Sequence, residues 1–420
     1  MTKLNNEQVK EIKAALSEKR LTQKQIGEKY GVGRSVVSDI ACGRVHKEVQ
    51  SEVEVSEDQE QIFKLRAEIE HLREERNTVQ RQLKSCAKTH GLFQAIVDEL
   101  DTRIKPLKAL PSARPEFKDD DRMSEHLVMH LSDGHHDQVV TPADTGGLEQ
   151  YDFPISVCRA ERYVDVVLKW TQQTLAHNFV FPSLTVLAYG DHTSGEIHGH
   201  TSRSYFRNDF KNCFAIGQLH ALMFRDLAPY FQQVNIVYVP GNHGRRSQKK
   251  DYLGAHNNWD YLIAKVAEMH LRDIPNVSFQ IPNSFSCNIE IDGIGFHVFH
   301  GDDVRSSLGI PWYGLEKRRH RLMALNTLKT HTPIRYFCCG HFHRSGTTSE
   351  VNGEMLINGA WTASDAYSYN SFAGYTEPTQ IIHGVNRKYG ITWRLPVRMR
   401  CDYELSGPRR YKIDMLEELC

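Results

Sequence analysis

The chain contains no apolar run near the ~18 residues that a membrane-spanning helix needs, and its polar N-terminus has no apolar signal-peptide core. Both absences predict a protein of the cytoplasm with no membrane partner. No Cys-x-x-Cys pair occurs among the nine cysteines, and an odd total with Cys338 and Cys339 adjacent in an apolar run predicts reduced, buried thiols instead of a disulfide framework or zinc finger. Net charge is also missing: 52 Lys/Arg balance 52 Asp/Glu, so any contact with nucleic acid must come from local patches. Apart from one charged helical segment there is no repeat or low-complexity tract. With 420 residues, 40% apolar and 25% charged, the chain can build two or three domains and a sizeable core.

What is present is an ordered set of His and Asp motifs: Asp133-Gly134-His135, Gly190-Asp191, Gly241-Asn242-His243, His300 and Gly340-His341-Phe342-His343. Four of them follow short β-rich apolar runs, at Leu127–Met129, Leu184–Leu187, Val234–Val239 and Tyr336–Cys339. This predicts buried strands with candidate ligands at their carboxyl ends. Carboxylate, amide oxygen and imidazole suit manganese, iron or zinc without a thiolate. Two such cations, about 3.5–4 Å apart across a shared carboxylate, would clamp a phosphodiester oxygen and activate water for in-line attack. Asp191 is the candidate bridge. Asp133, His135 and His343 then divide to one cation and Asn242, His300 and His341 to the other, leaving His243 as the acid that protonates the leaving oxygen or steadies its charge.

The ordered set resembles the calcineurin-like metallophosphoesterase superfamily over about residues 125–360. The resemblance implies an α/β fold of layered, βαβ-rich sheets flanked by helices, two divalent metal ions, most often Mn²⁺ with Fe²⁺ or Zn²⁺ as alternatives, and the roles just named. One departure stands out. Nucleases of the family usually carry an acidic residue directly after Gly-Asn-His, and here that position is Gly244. Asp251 and Asp302 are the nearby carboxylates that could substitute, but both read as surface charges near a basic loop and stand outside the site.

Residues 1–50 carry ten Lys/Arg against six Asp/Glu, a surplus of four positive charges. Helical spacing of Val9, Ile12, Ala15 and Leu16, a capping box at Thr22 and Gln25, the turn Gly31-Val32-Gly33, and a third helix from Arg34 to Ile40 resemble helix-turn-helix modules of the resolvase and small phage-regulator type. That resemblance implies DNA contacts from Arg34, Ser35 and Ser38. Residues 54–104 read as a coiled-coil dimerisation helix, with seam positions Ile62, Leu65, Ile69, Leu72, Val79 and Leu83. A homodimer would pair two DNA-binding units. Pro106, Pro111 and Pro115 mark a linker over 105–122, ahead of a catalytic domain at 123–360 with helices near Val157–Ala176, Tyr205–Leu227, Asn257–Leu271 and Tyr313–Leu328. Residues 361–420 read as an extension adding edge strands or a cap.

Substrate contacts are assigned to His198, Arg245 and Arg246 beside the ligand loops. The other histidines after Asp191 read as an exposed loop, and Trp312 and Tyr313 as core. The favoured function is a metal-dependent DNA nuclease, similar to the nuclease subunits of double-strand-break repair complexes and of phage type, targeted by its own helix-turn-helix. One alternative is a phosphatase or cyclic-nucleotide phosphodiesterase with a regulatory N-terminal module. The other is a DNA-binding regulator with vestigial catalysis, disfavoured because every ligand position is filled.

Overall fold

A computed structural model of the chain describes residues 4–18, 20–49, 64–65, 68–74, 76, 93–114, 121–197, 203–247, 249–250, 254–305, 311–326, 332–401 and 408–417. It divides into two compact units, Met1–Lys84 and Ser85–Cys420.

The first unit opens with α1 (Asn6–Glu18), α2 (Gln23–Lys29) and α3 (Arg34–Ala41). Val9, Ile12, Ile26, Val37, Ile40 and Val49 form its core, so the apolar stripe of each helix faces the other two. Thr22 and Gln25 close the expected capping box on α2. Gly27 is buried where a side chain would collide with the Val32 carbonyl, which lets the turn before α3 lie directly on α2. Arg34 and Ser35 are exposed and Ser38 half-buried on α3. Residues 68–74 are helical, and Leu65, Ile69 and Leu72 stand about half exposed, at 51%, 48% and 56%. Of the remaining seam positions, Ile62, Val79 and Leu83 lie outside the described residues.

The first described residues of the second unit, 93–103, are helical (α4) and carry Phe93 and Val97 into its core. The end of the segment expected as a dimerisation helix therefore packs within this unit. The expected linker is likewise pinned: Leu107 N donates to His270 O at 2.7 Å and Ala113 N to Pro229 O at 3.0 Å.

The remaining elements are β1 (Met123–Leu131), α5 (Phe153–Lys169), β2 (Phe179–Ala188), α6 (Asp209–Leu227), β3 (Gln233–Tyr238), α7 (Trp259–Leu271), β4 (Val277–Gln280), β5 (Ser286–Ile291), β6 (Ile294–Phe299), α8 (Trp312–Asn326), β7 (Ile334–Cys339), β8 (Gly346–Glu350), β9 (Gly353–Ile357), α9 (Ala366–Phe372), β10 (Thr379–Asn386), β11 (Gly390–Arg398) and α10 (Asp414–Glu417). They build two sheets, of order β11-β10-β1-β2-β3-β4 and β5-β6-β7-β9-β8. Strands β1 to β4 run parallel, and β10 and β11 add antiparallel at one edge, as the alternating runs after Gly359 predict.

The sheets face one another across Val128, Leu187, Val237 and Val239 on one side and Phe296, Val298, Tyr336 and Leu356 on the other. Helices α4 to α7 and α10 cover the far face of the first sheet, while Leu315 of α8 packs on the second. This α/β/β/α layering explains why the central strands read as continuous apolar runs: both of their faces are buried. Trp312 and Tyr313 depart from expectation, being 39% and 77% exposed at the start of α8. The seven described cysteines are all free, and all but Cys42 are buried. No helix among the described residues is long and apolar enough to cross a membrane.

Candidate metal centre

Strand β1 ends two residues before Asp133, β2 three before Asp191, β3 four before Asn242, and β6 and β7 deliver His300 and His341. Parallel strands whose carboxyl ends meet at one rim bring together residues 50 to 200 positions apart. Asp133, His135 and His343 form one group whose ligand atoms lie within 4.8 Å of one another; Asp191, His300 and His341 form a second, and His135, Asp191 and His243 a third that joins them. Asp191 thus belongs to both sides.

The backbone is bent to achieve this. Asp133, His135, Asp191, His341 and His343 have φ between 38° and 70°, a region costly to residues with a Cβ. Glycines make the room: a side chain on Gly241 would meet Asp191 Oδ1, and one on Gly340 would meet Asp133 Oδ2. Five strained, chemically active residues at one rim, of which Asp133, His135 and Asp191 are buried, are costly unless a ligand engages them.

His300 Nδ1 lies 2.9 Å from the Tyr189 carbonyl, which only accepts, so Nδ1 carries the proton donated there. Its Nε2 faces Asp191 Oδ2 at 2.8 Å and Asn242 Oδ1 at 3.0 Å. Burial works to lower the pKa of His300, but the charge of Asp191 and its hydrogen bond prevail, with Asp133 adding, and raise it to about 10. A proton between two acceptors here stands where a cation would. Burial works against ionised Asp191, yet His300, His243 and His135 hold its carboxyl well below the usual range. Burial pushes His341 down to about 3, and drives His135 well below its usual value, so both rings are neutral donors. Both ring nitrogens of His135 are buried with no hydrogen-bond partner among the described residues. Orphaned imidazole nitrogens beside a carboxylate pair fit divalent cations.

His243 is half-buried, its ring 4.7 Å from that of His135. Its backbone N–H donates to Asp191 Oδ1 at 2.7 Å, and Nδ1 donates to the Ser194 carbonyl at 3.0 Å. That carbonyl answers the missing carboxylate at Gly244. A side chain at 244 would strike Asn258 Oδ1, so no acidic residue fits there. Ser194 is itself held by Asp137, whose carboxylate accepts from Ser194 N at 2.7 Å and Thr193 Oγ1 at 3.0 Å. Asp302 is engaged by Lys250 at 2.6 Å, and Asp251 lies outside the described residues.

Several supporting residues carry no motif. Asp260, in the first turn of α7, accepts backbone N–H bonds from Asp191, His192 and Gly241 at 2.9–3.1 Å. Burial first, then the charge of Asp191, raises its pKa to about 6. Asn258 caps α7 and donates to Gly241 O at 3.0 Å. From the C-terminal segment, Gln380 accepts from Ser132 N at 3.1 Å, Trp361 N donates to Asp133 O at 3.0 Å, and Thr376 donates to His343 O at 2.7 Å. Residues 361–420 are thus part of the scaffold of the centre. An Asn-x-Asp helix cap at Asn258 was the one local signal for this support.

The substrate residues divide. Arg245 is half-buried next to His243, whereas the Arg246 guanidinium lies over Phe93 at 4.9 Å and Trp259 at 5.5 Å. Glu196 accepts from Trp259 Nε1 at 3.1 Å. His198 lies outside the described residues. His192, expected on an exposed loop, is completely buried, because it packs against His220 and Tyr238.

No protein-family model matches the chain, and no curated protein does. Solved structures similar to it include an archaeal phosphodiesterase, at 10% identity and TM-score 0.30, covering 64% of this chain and 99% of that one. Zinc-complexed Vps29 from Entamoeba histolytica matches at 12% identity and TM-score 0.27, covering 65% and 99%. A hypothetical protein from Pyrococcus horikoshii OT3 matches at 9% identity and TM-score 0.33, covering 67% and 91%. At these scores the likeness carries no functional argument, which rests instead on the chain's own cluster of strained Asp, Asn and His residues.

Proposed function

We propose that this protein is a metal-dependent phosphodiesterase whose substrate is DNA. The observation that carries the reading is the convergence of Asp133, His135 and His343 with Asp191, His300 and His341, joined through Asp191, at one rim of the sheets. Asp133, His135, His343 and Asp191 would hold one divalent cation, and Asp191, Asn242, His300 and His341 a second. Such ions supply a Lewis acid for the phosphoryl oxygens and a way to ionise water near neutral pH.

The protein's own groups do the rest. The Tyr189 carbonyl fixes the tautomer of His300, so Nε2 is always the atom offered to the centre. The Ser194 carbonyl does the same for His243, which keeps the proton on Nδ1 and leaves Nε2 to exchange a proton with the leaving oxygen. Arg245, next in sequence, places positive charge beside that path.

The N-terminal helices supply the argument for DNA. They carry surplus positive charge, and α3 exposes Arg34 and Ser35 from a short, separately cored unit. Pairing of two chains through the seam at Leu65, Ile69 and Leu72 would account for apolar side chains left half exposed. The two carboxylates and the amide oxygen suit Mn²⁺, while the four imidazoles suit Fe²⁺ or Zn²⁺ as alternatives.

The test is incubation with linear and circular DNA, single- and double-stranded, and with an aryl phosphodiester, in Mn²⁺ and with chelator, beside His243→Ala. Chelator-sensitive DNA cleavage lost in the variant supports the reading. Hydrolysis of the aryl diester with DNA untouched would move the substrate to small phosphoesters and make the N-terminal unit regulatory.

A further inference from the structure

A second cluster of imidazoles lies one residue along from two members of the metal centre. His136 follows His135, His192 follows Asp191, and His220 comes from the middle of α6. All three are completely buried, and each presents one ring nitrogen within 4.8 Å of those of the other two. Burying imidazole nitrogens without partners is costly.

The hydrogen bonds around the rings are those of ligands held for a cation. His136 Nδ1 lies 2.6 Å from Ser156 Oγ, and His220 Nδ1 lies 2.7 Å from Tyr238 Oη. Each outer nitrogen is thus engaged, as the non-ligating nitrogen of a metal-bound histidine is. The two Nε2 atoms face each other at 3.1 Å. Two nitrogens each about 2.0–2.1 Å from a tetrahedral zinc stand only slightly farther apart than that. His192 completes the observation, since neither of its ring nitrogens has a hydrogen-bond partner among the described residues.

We infer that His136, His192 and His220 form a third metal site, separate from the candidate catalytic pair, that takes Zn²⁺. Three neutral imidazoles without a carboxylate favour zinc over manganese or magnesium, which select oxygen donors. An ion there ties the loops after β1 and β2 to α6, and so fixes the two loops that carry Asp133, His135 and Asp191. Gly134 belongs to the same device, because a side chain there would collide with the His136 ring.

The experiment is diffraction from crystals of the full chain equilibrated with Zn²⁺, recorded on both sides of the zinc absorption edge, with zinc counted per chain in wild type and in His192→Phe. The expected result is anomalous density among the three rings, about 2.0–2.1 Å from a nitrogen of each, and one fewer zinc per chain in the variant. No density among the rings overturns the inference, whatever is bound elsewhere, and leaves a neutral hydrogen-bonded relay from Tyr238 through His220 and His136 to Ser156. An equal zinc count in wild type and a folded variant overturns it too. Density among the rings with none around Asp191 would sustain this site while removing the basis for the catalytic reading. The wild-type crystal decides the question even if His192→Phe does not fold.

Discussion

Asp260 holds Asp191 in place: its carboxylate oxygen Oδ2 accepts the Asp191 backbone N–H at 3.1 Å and the Gly241 N–H at 2.9 Å. One side chain on α7 thereby joins the loop carrying Asp191 to the loop carrying Asn242 and His243.

Asp260→Asn should misplace both loops, because an amide offers a single oxygen and turns its NH₂ toward backbone donors. Turnover of an aryl phosphodiester should fall about 100-fold, the usual cost of roughly 1 Å of displacement. Loss of a buried acceptor should also cost about 1–3 kcal/mol of stability. Wild-type turnover in a folded variant would show that the loops hold their position without Asp260.

His243→Ala should lower turnover by about 10²–10⁴-fold, the range for removing a general acid, while metal content measured by elemental analysis stays at the wild-type level. A parallel loss of metal would reassign His243 from proton transfer to ligation.

Asp191→Asn should lower metal content more than Asp133→Asn or His341→Ala, since Asp191 lies in two of the donor groups while Asp133 and His341 each lie in one. Titration with Mn²⁺ reads the effect directly. Equal losses in Asp191→Asn and Asp133→Asn would argue against a shared carboxylate.

Stability should fall on acidification below about pH 6.5. Burial holds His126 at about 4, though Asp292 opposes it, His130 at about 3, and His297 at about 4, with Arg318 adding. These rings are neutral in the folded chain and titrate near 6.5 when unfolded, so below 6.5 the unfolded state binds more protons. Stability is then full above 6.5 and lost as pH falls toward 4, by roughly 2 kcal/mol per ring at pH 5. Urea midpoints at pH 7.5 and pH 5 measure this, and equal midpoints would refute it.

Removal of residues 1–50 should weaken duplex binding at least tenfold and flatten its dependence on salt, with aryl phosphodiester hydrolysis unchanged. Undiminished, salt-steep binding by residues 51–420 would move the DNA contact out of the N-terminal helices.

Much of the centre was legible in the sequence because strand carboxyl ends write themselves as short local patterns. An apolar run followed by Gly-Asp or Gly-Asn-His needs no knowledge of distant residues, and the capping box at Thr22 is equally local. The second sheet was harder to read, since β8 and β9 are five residues each and mostly polar or mixed. Position 244 showed the limit from the other side: its missing carboxylate was visible, yet the Ser194 carbonyl that takes its place bears no side-chain signature.

The sequence by itself determined which Asp, Asn and His residues stand at strand ends and the order in which strands deliver them, because β periodicity, turn glycines and donor types are local properties. Only the tertiary structure decided what surrounds them. Gln380 reaches Ser132, Asp260 reaches Asp191, and His220 reaches His136 across 69 to 248 positions. Those contacts follow from which buried faces the sheets and helices turn toward one another, which no stretch of sequence states alone.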